Sequence, residues 1–198
     1  MQILKDEVRE EIEKAAIEVF LEKGFERALM QNMAEKAKVS ASNIYNYFES
    51  KEKLFAVIVD PVYCQINQLM QGFMEYETGR SFTDSGFVEG FVQTVAKGTG
   101  RFIKENHLRL LLIFDKSRGT QYEQFKENLI EFLEQHLKSS LKDSRLNESA
   151  SFIMHISATN LIEGLLEIIR HYKSDAWVEN SVNDFIKYHI RGLAQFFD

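Results

Sequence analysis

The sequence predicts an all-α protein, and three observations lead to that prediction. Apolar side chains recur three and four residues apart along most of the 198-residue chain. There are ten glycines and one proline, and they form no linker. The hydrophobic content of 44% is enough for a substantial core. We expect nearly continuous helix with short connections, in two domains over residues 1–50 and 51–198.

The first helix is predicted over residues 4–23. Val8, Ile12, Ala16 and Phe20 recur on one face of this segment. Gly24 follows them and is expected to end the helix in the left-handed conformation that glycine adopts readily.

A short helix, a turn and a second short helix are predicted next. Residues 29–37 form the first of these helices, and Lys38 and Val39 form the turn. Ser40 is a good N-cap for the second helix, which is expected to continue to Phe48. Ile44 lies four residues before Phe48, so the two side chains should face the core together.

The outer side of this helix carries small, amide and aromatic side chains, an unusual set for a scaffold helix. Asparagine can bond bidentately to adenine, small residues allow close approach, and tyrosine hydroxyls reach phosphates. The layout is that of a helix-turn-helix that sets one helix into the DNA major groove. The predicted base-reading surface consists of Ser40, Ala41, Ser42, Asn43 and Asn46, flanked by Tyr45 and Tyr47.

A long fourth helix is expected to begin after Ser50, its predicted N-cap. Lys51 lies in its first turn, where a lysine beside helix amides can bind a phosphate. Pro61 falls inside the apolar pattern and predicts a kink or break near residues 57–60.

The rest of the chain is predicted to be helical as well. A polar loop is expected over residues 75–85 and a turn over residues 143–147. The predicted helical segments cover residues 84–105, 108–114, 120–141, 148–172 and 176–197. The last two are apolar around much of their circumference, which favours a second buried face at a subunit interface.

The net charge of −6 does not exclude DNA binding, because phosphate contacts depend on local charge. Between residues 36 and 53, four lysines stand against two glutamates, which predicts modest affinity that falls quickly with salt. These residues are Lys36, Lys38, Lys51 and Lys53, with Glu49 and Glu52.

Other functional classes find little support in the sequence. Cys64 is the single cysteine, so we expect no internal disulfide and no multi-cysteine metal site. There is no HExxH, no glycine-rich phosphate loop and no GxSxG, and the five histidines lack metal-ligand spacing. We predict no enzyme, cofactor or metal site. No signal peptide and no run approaching 18 apolar residues is visible, so we expect a cytoplasmic protein without a membrane partner.

Residues 8–58 resemble the N-terminal domain of the TetR family of bacterial transcriptional regulators. The resemblance rests on short matches that are specific only together. They are Gly24-Phe25, Met33-Ala34, Ala37, Val39-Ser40, Ile44-Tyr45, Tyr47-Phe48, Ser50-Lys51-Glu52 and Leu54-Phe55.

The resemblance implies functions for both domains. Residues 1–50 would be the helix-turn-helix DNA-binding domain, and residues 51–198 a helical effector-binding and dimerisation domain. A homodimer would bind a near-palindromic double-stranded operator, and a small ligand would release it, most simply as a repressor. Tyr45 and Tyr47 match the family's DNA-contacting aromatic residues, and Lys51 matches its phosphate-binding lysine.

Three departures from the family pattern concern the motif itself. Ala28-Leu29 stands where a threonine or serine cap is usual, and Lys38 and Ser42 replace frequent glycines. These differences, with the acidic total charge, keep a second hypothesis open: a helical dimer that binds a protein or apolar ligand, with weak or lost DNA binding.

The sequence predicts the effector site and the subunit interface as sets of candidate residues. An aromatic-rich lining would suit a hydrophobic or aromatic effector. The candidate effector residues are Tyr63, Met70, Phe91, Phe102, Phe114, Tyr122 and Phe152. The candidate interface residues, on the last two helices, are Phe152, Ile156, Leu161, Leu165, Phe185, His189 and Leu193.

Overall fold

The structure is a computed structural model that describes residues 2–77, 85–139 and 147–197. Every regular element in these ranges is an α-helix, which confirms the all-α prediction. The helices are α1 (Gln2–Arg27), α2 (Met30–Lys36), α3 (Ala41–Tyr45), α4 (Lys51–Glu77), α5 (Ser85–Asp115), α6 (Phe125–Ser139), α7 (Glu148–Arg170) and α8 (Asp175–Phe197). The centres of the predicted loop at 75–85 and turn at 143–147 lie outside the described residues.

The chain divides into two compact units. The first comprises Met1–Asn67 with Leu108–Glu123, and the second comprises Gln68–His107 with Gln124–Asp198. The first unit therefore contains more of the chain than the 50 residues of the predicted DNA-binding domain. The functional boundary at residue 50 stays a prediction.

The core of the first unit is built on the predicted inner faces. Ile12, Ala16 and Phe20 of α1 are fully buried, as are Met33 of α2 and Ile44 of α3. Large apolar side chains removed from water in this way supply most of the stability of a small helical unit.

An aromatic cluster joins α1 to α4 inside this unit. The Phe20 and Phe55 rings meet edge to face with centroids 5.0 Å apart, and Phe25 meets Phe55 at 5.2 Å. Tyr122, from the segment after α5, lies 6.0 Å from Phe55, and its buried hydroxyl donates to a carboxylate oxygen of Asp60.

The segment after α5 also bonds to the end of α1. The Phe25 N–H donates to the Lys116 carbonyl at 2.9 Å, and Arg118 pairs with Glu26 at 3.4 Å. Residues 108–123 are thus an integral part of the first unit, although they lie far from it in sequence.

In the second unit, α7 packs between α6 and α8. Ala150 and Met154 of α7 form a buried cluster against Leu137, Ile153 and Leu193. Gly164 of α7 lies under the ring of Phe185, and a Cβ added there would be 2.2 Å from Phe185 Cζ. A Cβ at this helix crossing would therefore force the Phe185 ring to move.

Several boundaries differ from the predictions. α1 continues past a kink at Gly24 to Arg27 rather than ending at residue 23. α3 ends at Tyr45 rather than Phe48, and α4 continues through Pro61 without a break. Residues 85–115 form one helix rather than a helix and a separate short segment. α6 begins at Phe125 rather than at residue 120.

Helix α7 is more apolar than its short uninterrupted apolar runs indicate. By length and composition alone it could cross a membrane, with a mean hydropathy of 1.4 over its most apolar window. Uncharged polar residues such as Ser157 and Asn160 interrupt the apolar run, but the many apolar residues around them keep the mean high. Only 22% of that window is buried inside the chain, so much apolar surface of α7 remains uncovered.

Candidate DNA-binding surface

The turn between α2 and α3 is a Schellman motif with a lysine at its left-handed position. The Val39 N–H bonds to the Ala34 carbonyl at 2.9 Å, and the Lys38 N–H bonds to the Glu35 carbonyl at 3.2 Å. Lys38 has a φ of 57°, a conformation that costs a residue with a Cβ about 1–2 kcal/mol. The predicted turn is confirmed, and the lysine occupies it under strain.

Helix α3 is fixed by an N-cap and two buried side chains. The Ser40 hydroxyl accepts a bond from the Asn43 N–H at 3.1 Å, as predicted from the sequence. Ile44 and Phe48 are buried, and the Phe48 N–H bonds to the Ile44 carbonyl at 3.0 Å. This anchoring leaves the opposite side of α3 facing solvent.

We call the solvent side of α3 and its flanks the reading face. Ser40, Ala41, Ser42 and Asn46 are exposed, Tyr45 is 53% exposed, and Asn43 and Tyr47 are half-buried. Weak contacts link the polar groups, with the Ser40 and Ser42 hydroxyls 3.1 Å apart and the Asn46 amide donating to the Asn43 oxygen at 3.4 Å. These side chains can exchange such contacts for base edges and phosphates at little cost.

Charges near the reading face are fewer than the sequence count indicates. Lys36 forms a 2.6 Å ion pair with Glu18, and this hydrogen bond raises the pKa of Lys36. Lys38 and Lys53 are exposed, and the described residues offer neither of them an ion pair. Of the four lysines predicted to lie near the DNA, Lys38 and Lys53 are therefore the two that can meet phosphates without first breaking a contact within the described chain.

The start of α4 already holds a carboxylate. Ser50 caps the helix, accepting from the Lys53 N–H at 3.2 Å. Hydrogen bonds from the Glu52 backbone N–H and the Ser50 hydroxyl lower the pKa of Glu52, so its charge lies against the positive end of the helix. An incoming phosphate would meet this negative charge.

Lys51 is bonded within the unit. Its ammonium donates to the carbonyl oxygens of Phe25 at 2.8 Å, Ala28 at 3.1 Å and Glu26 at 3.4 Å. It also lies 4.3 Å from the centre of the Phe25 ring. The phosphate contact predicted for Lys51 stays a prediction. Its carbonyl partners could not be predicted from the sequence because they lie more than 20 residues away.

The candidate effector residues fall in both units. Tyr63 and Tyr122 contact each other in the first unit with centroids 5.5 Å apart, and Phe114 also belongs there. Met70, Phe91, Phe102 and Phe152 belong to the second. Phe91 is buried, whereas Phe152 is 62% exposed in the single chain, which does not fit the lining of an internal pocket. Its position in α7 turns it toward solvent, where its ring stacks on His155 at 6.2 Å.

The candidate interface residues are mostly accessible in the single chain. Ile156, Leu161, Leu165, Phe185 and Leu193 are half-buried, as a helix face with partial cover would be. His189 is an exception: it is only 8% exposed, with Nε2 lacking a hydrogen-bond partner among the described residues. Burial lowers its pKa. Tyr188, which is not among the candidate interface residues, is 77% exposed.

Two further features of the described chain bear on ligands. An open groove of about 430 Å³ on α8 is lined by Asp184, Lys187, Tyr188, Arg191 and Gly192, and none of the effector candidates lines it. The described residues contain no group of three or more histidine, cysteine, aspartate or glutamate side chains that could hold a metal.

Comparisons with known proteins agree with the geometry of the first unit. Residues 12–58 match the family profile of bacterial regulatory proteins of the tetR family. The HTH-type transcriptional repressor NicS of Pseudomonas putida is 40% identical over 63 residues, or 32% of this chain. The chain matches 30% of the length of that relative.

Solved structures share the fold over nearly the whole chain. NalD of Pseudomonas aeruginosa, the secondary repressor of the MexAB-OprM multidrug efflux pump, is 17% identical with a TM-score of 0.54, covering 95% of this chain and 96% of that one. The fatty acid degradation regulator FadR of Bacillus halodurans is 16% identical with a TM-score of 0.54, covering 93% and 97%. At these identities the likeness establishes a common fold.

Proposed function

Because residues 12–58 form a helix-turn-helix domain of the tetR family of bacterial regulatory proteins, we propose that this chain is a DNA-binding transcriptional repressor. The observation that carries the proposal is the reading face. It presents two amides, two hydroxyls and two tyrosines on a helix whose opposite side is anchored by Ile44 and Phe48. The similarity to NicS, named a transcriptional repressor, over 63 residues supports repression.

DNA recognition would divide between bases and phosphates. Asn43, Asn46, Ser42 and Ala41 would meet base edges, with Ser40 at the start of the helix. Tyr45 and Tyr47 would reach the backbone through their hydroxyls. Lys38 and Lys53 from each of two chains would neutralise about four phosphates, giving a salt slope of roughly −3.6 in log K against log salt.

A homodimer would place two reading faces about one DNA turn apart on a near-palindrome. Much apolar surface of α7 is uncovered, and Phe152 on α7 and Tyr188 on α8 are exposed. These features support assembly through the last two helices. Sedimentation tests this: Phe152→Asp with Tyr188→Asp should give monomers. Leu108→Asp, an equally polar change at an exposed leucine outside these helices, should leave the dimer intact. Dimers in the double variant would contradict the interface.

The effector would be hydrophobic or aromatic and would reduce operator affinity. The proposed contact residues are, within the first unit, Tyr63, Phe114 and Tyr122, and, as a separate candidate set within the second unit, Met70, Phe91 and Phe102. Mass spectrometry of small molecules released from the purified, unfolded protein tests this directly. A released apolar compound that weakens DNA binding when added back supports release by ligand. A compound without that effect would contradict it. A repressor of this kind would bind DNA in the cytoplasm.

Selection from a random-sequence duplex library tests the main proposal. The purified chain should retain duplexes that share a near-palindrome at moderate salt. Retention of unrelated sequences that vanishes as salt rises would refute operator binding. It would favour the second function, a helical dimer that binds a protein or apolar partner. That function is supported by the bonding of Lys36 to Glu18 and of Lys51 to the Phe25 carbonyl, because these bonds engage two lysines within the chain.

A further inference from the structure

We propose that Arg109 on α5 is the anion-binding residue of the effector site, and that the effector is an apolar molecule carrying a carboxylate. The inference rests on the proposed function and deepens it by assigning the chemical class of the ligand. Arg109 is not among the candidate effector residues. It lies in the first unit, in the same segment as Phe114 and Tyr122.

Arg109 is a cation without a partner. Its Nε is shielded from solvent and forms no hydrogen bond, and no described residue offers the guanidinium an ion pair. The other such atom among the described residues is His189 Nε2. An imidazole can stay neutral when it is buried, whereas a guanidinium keeps its charge. Because a buried arginine is normally paired, the missing partner of Arg109 indicates a site for an anion.

The position of Arg109 on α5 explains why its charge is poorly placed without an anion. Leu112 and Ile113, three and four residues later and so on the same side of the helix, are 0% and 1% exposed. Arg109 itself is half-buried. Its side chain therefore lies at the edge of an apolar region, and an anion that arrives from solvent can still reach it.

The carboxylates nearest to Arg109 in the sequence are engaged elsewhere or face another way. Glu105, one turn earlier, pairs with Arg101 at 2.8 Å. Asp115, six residues later, is exposed and lies about 120° further round the helix. A ligand would therefore have to supply the missing anion.

A carboxylate suits this position because its two oxygens match two parallel donors of a guanidinium, Nε and one Nη. Such a ligand would satisfy the shielded Nε and the charge together. The aromatic contact residues proposed for the first unit favour an apolar acid over a small polar anion such as phosphate. These residues are Tyr63, Phe114 and Tyr122.

An anion bound to Arg109 would act on a segment that is bonded to the helix-turn-helix. Lys116 follows Arg109 by seven residues, or about two helical turns. The Lys116 carbonyl accepts from the N–H of Phe25, which lies just before the connection into α2. A shift of this end of α5 would therefore be passed to the start of the helix-turn-helix, as release by an effector requires.

The test compares Arg109→Met with the control Arg101→Met, which removes an exposed arginine paired with Glu105 on the same helix. Melting temperatures are measured at matched ionic strength with benzoate and octanoate, with the uncharged benzamide and octanamide, and with inorganic phosphate. At least one acid should raise the melting temperature of the wild type and of Arg101→Met, while its amide and phosphate should not. In calorimetric titration, Arg109→Met should bind that acid at least about tenfold more weakly. Without ligand, Arg109→Met should melt no lower than the wild type, because the charge that it loses has no partner.

The ligand-binding results can overturn the inference without reference to DNA. No shift of the wild type with either acid, an equal shift in Arg109→Met, or an equal shift with the amide would each refute the carboxylate site. A loss of several degrees in ligand-free Arg109→Met would show that the guanidinium has a partner within the fold. A shift with phosphate alone would refute the assigned ligand class.

The DNA-binding results separate this inference from the proposed function. The acid that binds should reduce retention of a selected duplex by the wild type and by Arg101→Met, but not by Arg109→Met. Binding of the acid without any effect on DNA would refute its assignment as an effector. If the wild type selects no duplex while the acid still binds through Arg109, the proposed repressor function fails and the anion site stands.

Discussion

Lys38 offers a perturbation in which stability and DNA affinity should move in opposite directions. Its backbone holds the left-handed position of the Schellman motif, and its side chain is one of two exposed lysines beside the reading face. Lys38→Gly removes both the strain and the charge. Lys38→Asn also removes the charge, while keeping a residue that tolerates this conformation better than lysine does.

The expected stability change follows from two opposing terms. The left-handed conformation costs lysine about 1–2 kcal/mol, and glycine loses about 0.4–1 kcal/mol more through its greater freedom when unfolded. Lys38→Gly should therefore be more stable than the wild type by about 0.5–1 kcal/mol, or roughly 1–4 °C in melting temperature for a chain of this size. Calorimetry or thermal circular dichroism would measure the shift.

The expected DNA effect follows from counterion release. Losing one phosphate contact from each of two chains should flatten the salt slope by about 1.8, and weaken binding about 60-fold at 0.1 M salt if the 1 M intercept is unchanged. Fluorescence anisotropy on the selected duplex gives both quantities for Lys38→Gly and Lys38→Asn. A destabilised Lys38→Gly would refute the strain argument. An unchanged slope in both variants would refute the phosphate contact.

Three further predictions concern the stability of the fold. Gly24→Ala and Gly98→Ala both add a methyl group in open space, but of the two only Gly24 has a positive φ. Urea unfolding should show Gly24→Ala destabilised by about 1–3 kcal/mol and Gly98→Ala stabilised by about 0.5–1 kcal/mol. Equal shifts in the two variants would contradict the argument from the positive φ. Gly164→Ala should cost about 1–3 kcal/mol because its Cβ meets the Phe185 ring, and Gly164→Ala combined with Phe185→Leu should recover part of that loss if the clash is the cause. Burial and, secondarily, the hydrogen bond to Asp60 raise the pKa of Tyr122 in the folded chain. The stabilising effect of the neutral Tyr122 is therefore present below about pH 10 and is lost as the pH rises above the tyrosine pKa of the unfolded chain. Melting temperatures from about pH 8 to 11 should fall more steeply in the wild type than in Tyr122→Phe, and parallel curves would show that Tyr122 does not titrate with unfolding.

Local rules predicted the helix-turn-helix well because its signals lie within a few residues. Gly24 has the expected positive φ, Ser40 and Ser50 cap the helices they precede, and Ile44 and Phe48 are buried. Each feature depends on a side chain and a backbone group at most four residues apart, so the sequence alone specifies it.

The wrong boundaries arose where a residue's surroundings decide its effect. Pro61 does not break α4 because Val57, whose carbonyl loses its donor, and Pro61 are both exposed, so water can reach that carbonyl. α5 continues past Glu105 because no glycine or proline stops it. α6 begins late because Thr120 bonds to Ser117 and to the Tyr122 N–H instead of continuing a helix.

The long-range contacts at the site could not be predicted from sequence patterns. Lys51 matched a family position, but its carbonyl partners, 23 to 26 residues away, depend on how α1 and α4 pack. Similarly, Phe152 and His189 have comparable apolar neighbours in sequence, yet one is 62% exposed and the other 8%. Which side of α7 or α8 is covered is decided by packing against other helices.

The central claim, that the reading face recognises bases, is tested most directly by repeating the library selection with Asn46→Ala. Asn46 is exposed, and its amide makes only a 3.4 Å contact with Asn43, so the substitution should leave the fold unchanged. The account predicts that the variant still selects a near-palindrome but loses its preference at one base pair in each half, where an asparagine would read adenine. Selection of the same sequence with undiminished preference at every position would contradict base reading by this face.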